Sequence, residues 1–178
     1  MKQINKYIVE RLHINKDISN YYNYHPKTKE ELEELVNKLI KERGNNADLN
    51  DIDTSEITDM NYMFGLSNFN GDISKWDVSK VEDMNFMFEA SKFNGDLSNW
   101  DVSKVKDMHC MFMWSEFTGE NGDLSNWDVS KVEDMHCMFN GSNFNGDISK
   151  WDVSNVKYMR NMFDESPLEK NQPKWYKE

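Results

Sequence analysis

Long apolar runs are missing from this chain, and no stretch reaches the ~20 residues that a membrane-spanning helix requires. The start lacks the apolar core of an export signal, because Lys2, Lys6, Glu10 and Arg11 interrupt it. The expectation is no membrane insertion, and a cytoplasmic location unless export takes a route without such a signal. Catalytic signatures are missing as well: there is no nucleophile elbow, no glycine-rich phosphate loop and no HExxH pair. Carboxylates are abundant but repeated, whereas a catalytic pair is ordinarily singular and differently environed. No enzymatic activity and no cofactor are expected.

Positive charge is also short. Against 32 Asp and Glu the 178 residues carry 21 Lys and Arg, a formal net charge of −11. The imbalance is uneven: residues 1–48 hold 9 basic and 8 acidic side chains, and the remainder holds 12 basic and 24 acidic. Such a surface repels phosphate backbones, so nucleic-acid binding is not expected.

What is present is repetition. The phrase DISKWDVSKVEDMNFMFEASKFNG at residues 72–95 recurs down the chain, with Trp76, Trp100, Trp127, Trp151 and Trp175 separated by 24, 27, 24 and 24 residues. A fixed period of this size signals a repeat array. Five full copies begin at Leu49, Ile73, Leu97, Leu124 and Ile148, and a partial sixth begins at Gln172. In the second copy the apolar positions are Ile73, Trp76, Val78, Val81, Met84, Met87, Phe88 and Phe93. The step of two from Trp76 to Val78 predicts a short strand, and the steps of three and four from Val81 to Phe88 predict a helical face. Ser79 with Glu82, and Ser130 with Glu133, have the spacing of capping boxes. Asn-Gly-Asp at 70–72, 94–96 and 145–147 predicts tight corners. One copy buries too little to offset the ordering of its own residues, so neighbours must supply the missing contacts.

Ile73-x-x-Trp76-x-Val78 copies the L-x-x-L-x-L spacing of leucine-rich repeats, although Val81 replaces the start of their Asn ladder. With its DM and MF pairs, WDVSKVEDMNFMF resembles the BspA-like, leucine-rich-repeat-related repeats of bacterial, mycoplasma and phage surface proteins, from about Leu49 to Trp175. The resemblance implies a right-handed solenoid, a binding role and no catalytic residues. The expected fold is therefore α/β, a right-handed leucine-rich-repeat-like solenoid of five coils of 24 residues with an N-terminal helical cap. Residues 1–48 would be that cap, residues 49–171 the solenoid and residues 172–178 a partial repeat closing the far end.

Within the N-terminal part, Ile4, Tyr7, Ile8 and Leu12 predict a first helix, and residues 13–26 an irregular connector. Thr28 and Glu31 then start a second helix whose apolar face is Leu32, Leu35, Val36, Leu39 and Ile40, and Gly44 ends it. A competing reading makes this segment a docking module for a partner helix.

The functional expectation is a monomeric, non-catalytic module that binds a protein partner. The alternative is an acidic nucleic-acid mimic that blocks a basic site, and a third reading is a plain structural spacer. Recognition would use columns that vary between copies: Lys75, Asn99, Asn126 and Lys150, then Glu56, Lys80, Lys104, Lys131 and Asn155, with the outward Asp77, Asp101, Asp128 and Asp152 between them. Met113 and Trp114 precede a loop at 117–123 that is three residues longer than its counterparts, which makes Trp114 a candidate hot spot or the packing partner of that insertion. The repeated Asp column requires an offset to its self-repulsion: hydrogen bonds from Ser or helix N–H groups, or calcium assisted by Asp72, Asp96, Asp123 and Asp147. The methionine columns read as core filler or as a recognition groove. His109-Cys110 and His136-Cys137 repeat in adjacent copies, which admits zinc, simple duplication or a disulfide. On a helix their side chains would diverge, so no metal is expected.

Overall fold

The computed structural model describes residues 21–177. The expected first helix at residues 4–12 and the start of the connector lie outside this range. Helix α1, Lys29–Arg43, forms as the spacing predicts. Thr28 Oγ1 accepts the Glu31 N–H at 3.3 Å, and Gly44 ends the helix at φ 90°, in the left-handed region. Leu32, Val36 and Leu39 are buried in the same apolar cluster as the repeats. Arg43 holds Asp51 through two bonds of 2.9 and 3.0 Å, and Lys29 reaches Asn61 and Asp59, which fixes α1 to the first copy.

The α/β solenoid of strand-and-helix coils with a helical cap does not form. Among the described residues there is one α-helix, a 3-10 turn at Pro167–Lys170 and no extended strand or sheet. Pairing between copies is reduced to isolated parallel bridges, of which Asp59, Asp83, Asp107, Asp134 and Tyr158 make one column.

Each copy is instead a chain of β-turns. In the second copy the N–H groups of Trp76, Val81, Met87, Glu89 and Ser91 donate three residues back, to Ile73, Val78, Met84, Phe86 and Phe88, at 2.9–3.2 Å. Phe86 and Ala90 take φ of 52° and 48° at the third position of their turns, the signature of the type II class. The residues expected to form a helix at 81–88 therefore spend their N–H groups differently. Met84, Phe86, Phe88 and Ala90 donate to Asp107, His109, Met111 and Met113 of the next copy at 2.7–3.0 Å. Every second N–H thus bonds across the stack, and a copy without a neighbour would leave these donors without protein partners.

Asp and Asn decide against the helix locally. Asp72, Asp77 and Asp83 accept the N–H two residues on, from Ser74, Ser79 and Asn85, at 2.9–3.0 Å. These Asx turns bend the chain at three corners of the copy and compete with helical hydrogen bonding. The expected capping box at Ser79 is thereby replaced, because the Ser79 N–H is taken by the carboxylate before it.

The interior nevertheless contains the residues that the pattern selects. All eight apolar positions of the second copy are buried, as are both methionine columns from Met60 to Met135 and from Met63 to Met162. Phe64, Phe88, Phe112, Phe139 and Phe163 stack copy upon copy with centroids 5.6, 5.4, 5.5 and 6.2 Å apart. The indole N–H groups of Trp76, Trp100, Trp127, Trp151 and Trp175 donate to Leu49, Ile73, Leu97, Leu124 and Ile148 of the preceding copy at 2.9–3.2 Å. Trp175 stacks on Trp151, and Leu168 and Tyr176 complete the buried cluster at the C-terminal end.

Candidate binding surface

Because residues 24 or 27 apart are neighbours, each turn position becomes a column on the surface. Two columns have left-handed backbone throughout: Tyr62, Phe86, Cys110, Cys137 and Asn161 in one, and Leu66, Ala90, Trp114, Gly141 and Glu165 in the other. Leu66 is 68% exposed and Trp114 52% exposed. With Ala90 between them and the exposed Tyr62 in the adjacent column, they make an apolar strip across the first three copies. The Trp114 ring lies against the next copy, where a Cβ built on Gly141 would fall 2.3 Å from Trp114 Cε3. Met113 beside it is half-buried, and its carbonyl accepts the Ala90 N–H. The inserted loop is pinned to the preceding copy: Asn94 Oδ1 accepts the Thr118 N–H at 2.9 Å, and Asn121 donates to the Asn94 carbonyl at 2.6 Å.

The lysines and aspartates singled out in the sequence lie on other turns. Lys75, Lys104, Lys131 and Lys150 are exposed. Lys80 is paired with Glu56 of the preceding copy at 2.7 Å, and the same type of contact joins Lys106 to Glu82 and Lys157 to Glu133. Asp77, Asp101, Asp128 and Asp152 are exposed, and each accepts the N–H of the serine two residues on at 3.0–3.1 Å. The Ser103, Ser130 and Ser154 side chains, then their N–H groups, hold Asp101, Asp128 and Asp152 below the ordinary carboxylate range. Asp72, Asp96, Asp123 and Asp147 are engaged by serine N–H groups in the same way. Hydrogen bonding within each copy thus accounts for the placement of both columns.

Asp83 behaves differently. Burial pushes its carboxyl up, Asp107 and Asp59 in the same column add to the shift, and the Asn85 N–H opposes it.

The two histidines that the sequence offered as zinc ligands with Cys110 and Cys137 gather a carboxylate instead. The His109 and His136 rings lie parallel, 6° apart in plane with centroids 4.7 Å apart, and Nδ1 of each is 2.7 Å from the carboxylate two residues earlier, Asp107 or Asp134. Ligand-type atoms of His109, Asp134 and His136 all lie within 4.8 Å of one another. Of the cysteines beside them, Cys110 is buried and its thiol is pushed up to about 12, by burial first and then by Cys137, whereas Cys137 is half-buried and borders the same cavity as His136. A repeated Asp-Met-His at 107–109 and 134–136 is the sequence signal for the constellation, once the two copies are known to stack in register.

Turn-built copies in register, with equivalent positions arranged as surface columns, define a repeat-array protein. Residues 30–120 and 113–177 match the model of a family described as "Mycoplasma protein of unknown function, DUF285". The chain belongs to that family. No curated protein and no solved structure matches it. Among the described residues no helix is long and apolar enough to cross a membrane.

Proposed function

We propose that the chain is a non-catalytic protein-binding module of the BspA-like surface-protein type, whose contact surface is the strip of Tyr62, Leu66, Ala90 and Trp114. The observation that carries this reading is the choice of residues in the Leu66 column. Gly141 occupies that column at φ 63°, so the turn accepts glycine, the residue for which left-handed backbone is free of strain. Leu66 and Trp114 adopt the same conformation at φ 57° and 58° while 68% and 52% exposed. The Trp114 ring packs on Gly141 of the next copy and still leaves about half of the side chain exposed, and tryptophan anchors are enriched at interface centres.

The test is capture of a partner from lysate and from cell-surface extract of the source organism, with the native chain and with Trp114→Gly in parallel. Retention at about 1 M salt, where the Debye length is about 3 Å, together with loss in Trp114→Gly, supports the strip as the contact. Recovery confined to low salt and indifferent to Trp114 would replace this reading with the acidic mimic.

A further inference from the structure

We propose that His109, Asp134 and His136 form a binding site for one borderline divalent transition-metal ion of the zinc type, which clips together the two copies flanking the inserted loop. Among the described residues this is the one group of three or more metal-ligating side chains with mutually close ligand atoms. The 4.8 Å limit on their separations places a point within about 2.8 Å of all three ligand atoms, against metal–ligand distances of about 2.0–2.2 Å. Closure needs a contraction of under about 1 Å per ligand. His136 Nδ1 and Asp134 Oδ1, hydrogen-bonded at 2.7 Å, stand closer than the ~3.3 Å between ligands of a tetrahedral ion, so ligation replaces that bond or uses the other imidazole nitrogen.

The stack presents the ligands without a folding rearrangement. The imidazoles are held parallel by main-chain bonds on either side, Cys110 N–H to the His136 carbonyl at 2.9 Å and Met108 N–H to the Asp134 carbonyl at 2.9 Å. All three ligands are half-buried, and His136 also borders an open cavity of about 460 Å³, from which water can complete the coordination. Asp107, bonded to His109, adds a further carboxylate beside the cluster. Two imidazoles and a carboxylate suit zinc, nickel or copper rather than calcium or magnesium, which prefer oxygen alone. Neither the buried Cys110 nor the half-buried Cys137 belongs to the group of mutually close ligand atoms. In the other copies the histidine position holds Asn61, Asn85 or Arg160, so the site exists only at the junction where the copy spacing stretches from 24 to 27 residues.

The experiment uses the untagged full chain, stripped with chelator and titrated with Zn²⁺ by calorimetry, and with Co²⁺ by absorbance. The expected result is one ion per chain. At about 100-fold excess over Kd the melting temperature should rise by about 5–10 °C. Cobalt should give d–d bands without a thiolate charge-transfer band. His109→Asn and His136→Asn, which install the residue found at this position in the first two copies, should fold and should each weaken binding at least tenfold. His25→Asn and Cys110→Ser/Cys137→Ser should leave it intact. Absence of saturable binding tighter than about 100 μM, binding unchanged in His109→Asn/His136→Asn, or loss of binding in the cysteine variant would each overturn the assignment.

Discussion

Replacing Ala90 with glycine reads the strain of its left-handed turn by the sign of a stability change. Ala90 is exposed, its N–H donates to the Met113 carbonyl at 2.7 Å, and its φ is 48°. An L-residue held there is strained by roughly 1–2 kcal/mol, which glycine relieves. Glycine loses about 0.4–1 kcal/mol through the greater freedom of its unfolded chain. The net expectation is a gain of about 0.5–1 kcal/mol, or about 1–4 °C in melting temperature for a chain of this length. At a helical position the same change would cost about 1 kcal/mol. Gly141→Ala is the converse test, because the new Cβ would fall 2.3 Å from the Trp114 ring at φ 63°. It should destabilise by more than the ~1–2 kcal/mol of backbone strain, and in a Trp114→Gly background the cost should shrink toward that strain alone. Thermal denaturation followed by tryptophan fluorescence reads all four variants. A loss of 2 °C or more on Ala90→Gly would refute the turn assignment.

Phe112, fully buried between Phe88 and Phe139 at 5.4 and 5.5 Å, should cost about 3–5 kcal/mol on truncation to Ala, whereas Lys131→Ala at an exposed position should stay within about 0.5 kcal/mol in urea titration. Asp83→Asn should stabilise at neutral pH. The raised carboxyl of Asp83 means the folded state binds its proton more tightly than the unfolded state does, so its penalty grows as pH rises through that window, and the variant's advantage should vanish in melts near about pH 3. Asp101, Asp128 and Asp152 work in the opposite sense. Their depressed carboxyls contribute stability above the ordinary carboxylate range that is lost as pH falls through the folded values, so the triple Asn variant should flatten the acid limb of the stability profile.

The repeat, its register and the identity of its buried positions were legible from Trp76, Phe88, Phe93 and their equivalents, because burial imposes the same periodicity whatever the backbone does. The local conformation was not. A step of three between apolar residues is the span of a helical turn, and it is also the span of the β-turns that link Ile73 to Trp76, Val78 to Val81 and Met84 to Met87. What distinguishes them is Asp followed two residues later by Ser or Asn, three times in the second copy and with His at the third place in the next two, a signal for Asx turns that the capping-box spacing of Ser79 and Glu82 obscured. The α1 helix was legible because caps, face and terminator agree. Trp114 stood out as a lone aromatic in its column, and its exposure follows from the column's position on a turn. That positions 109 and 136 face each other was legible from the repeat; what the helical assumption hid is the turn that sets Asp134 beside His136, because the sequence offered the adjacent His and Cys as ligands.

Every surface column depends on the register that sets each residue beside its counterpart 24 or 27 positions on. Scalar couplings through hydrogen bonds, measured by NMR on the labelled chain, report that register directly. The account predicts couplings from the Phe86 amide to the His109 carbonyl and from the Cys110 amide to the His136 carbonyl, with none of the i to i−4 pattern within residues 81–88. Helical couplings inside those residues, or amides of 84–90 bonded within their own copy alone, would contradict it.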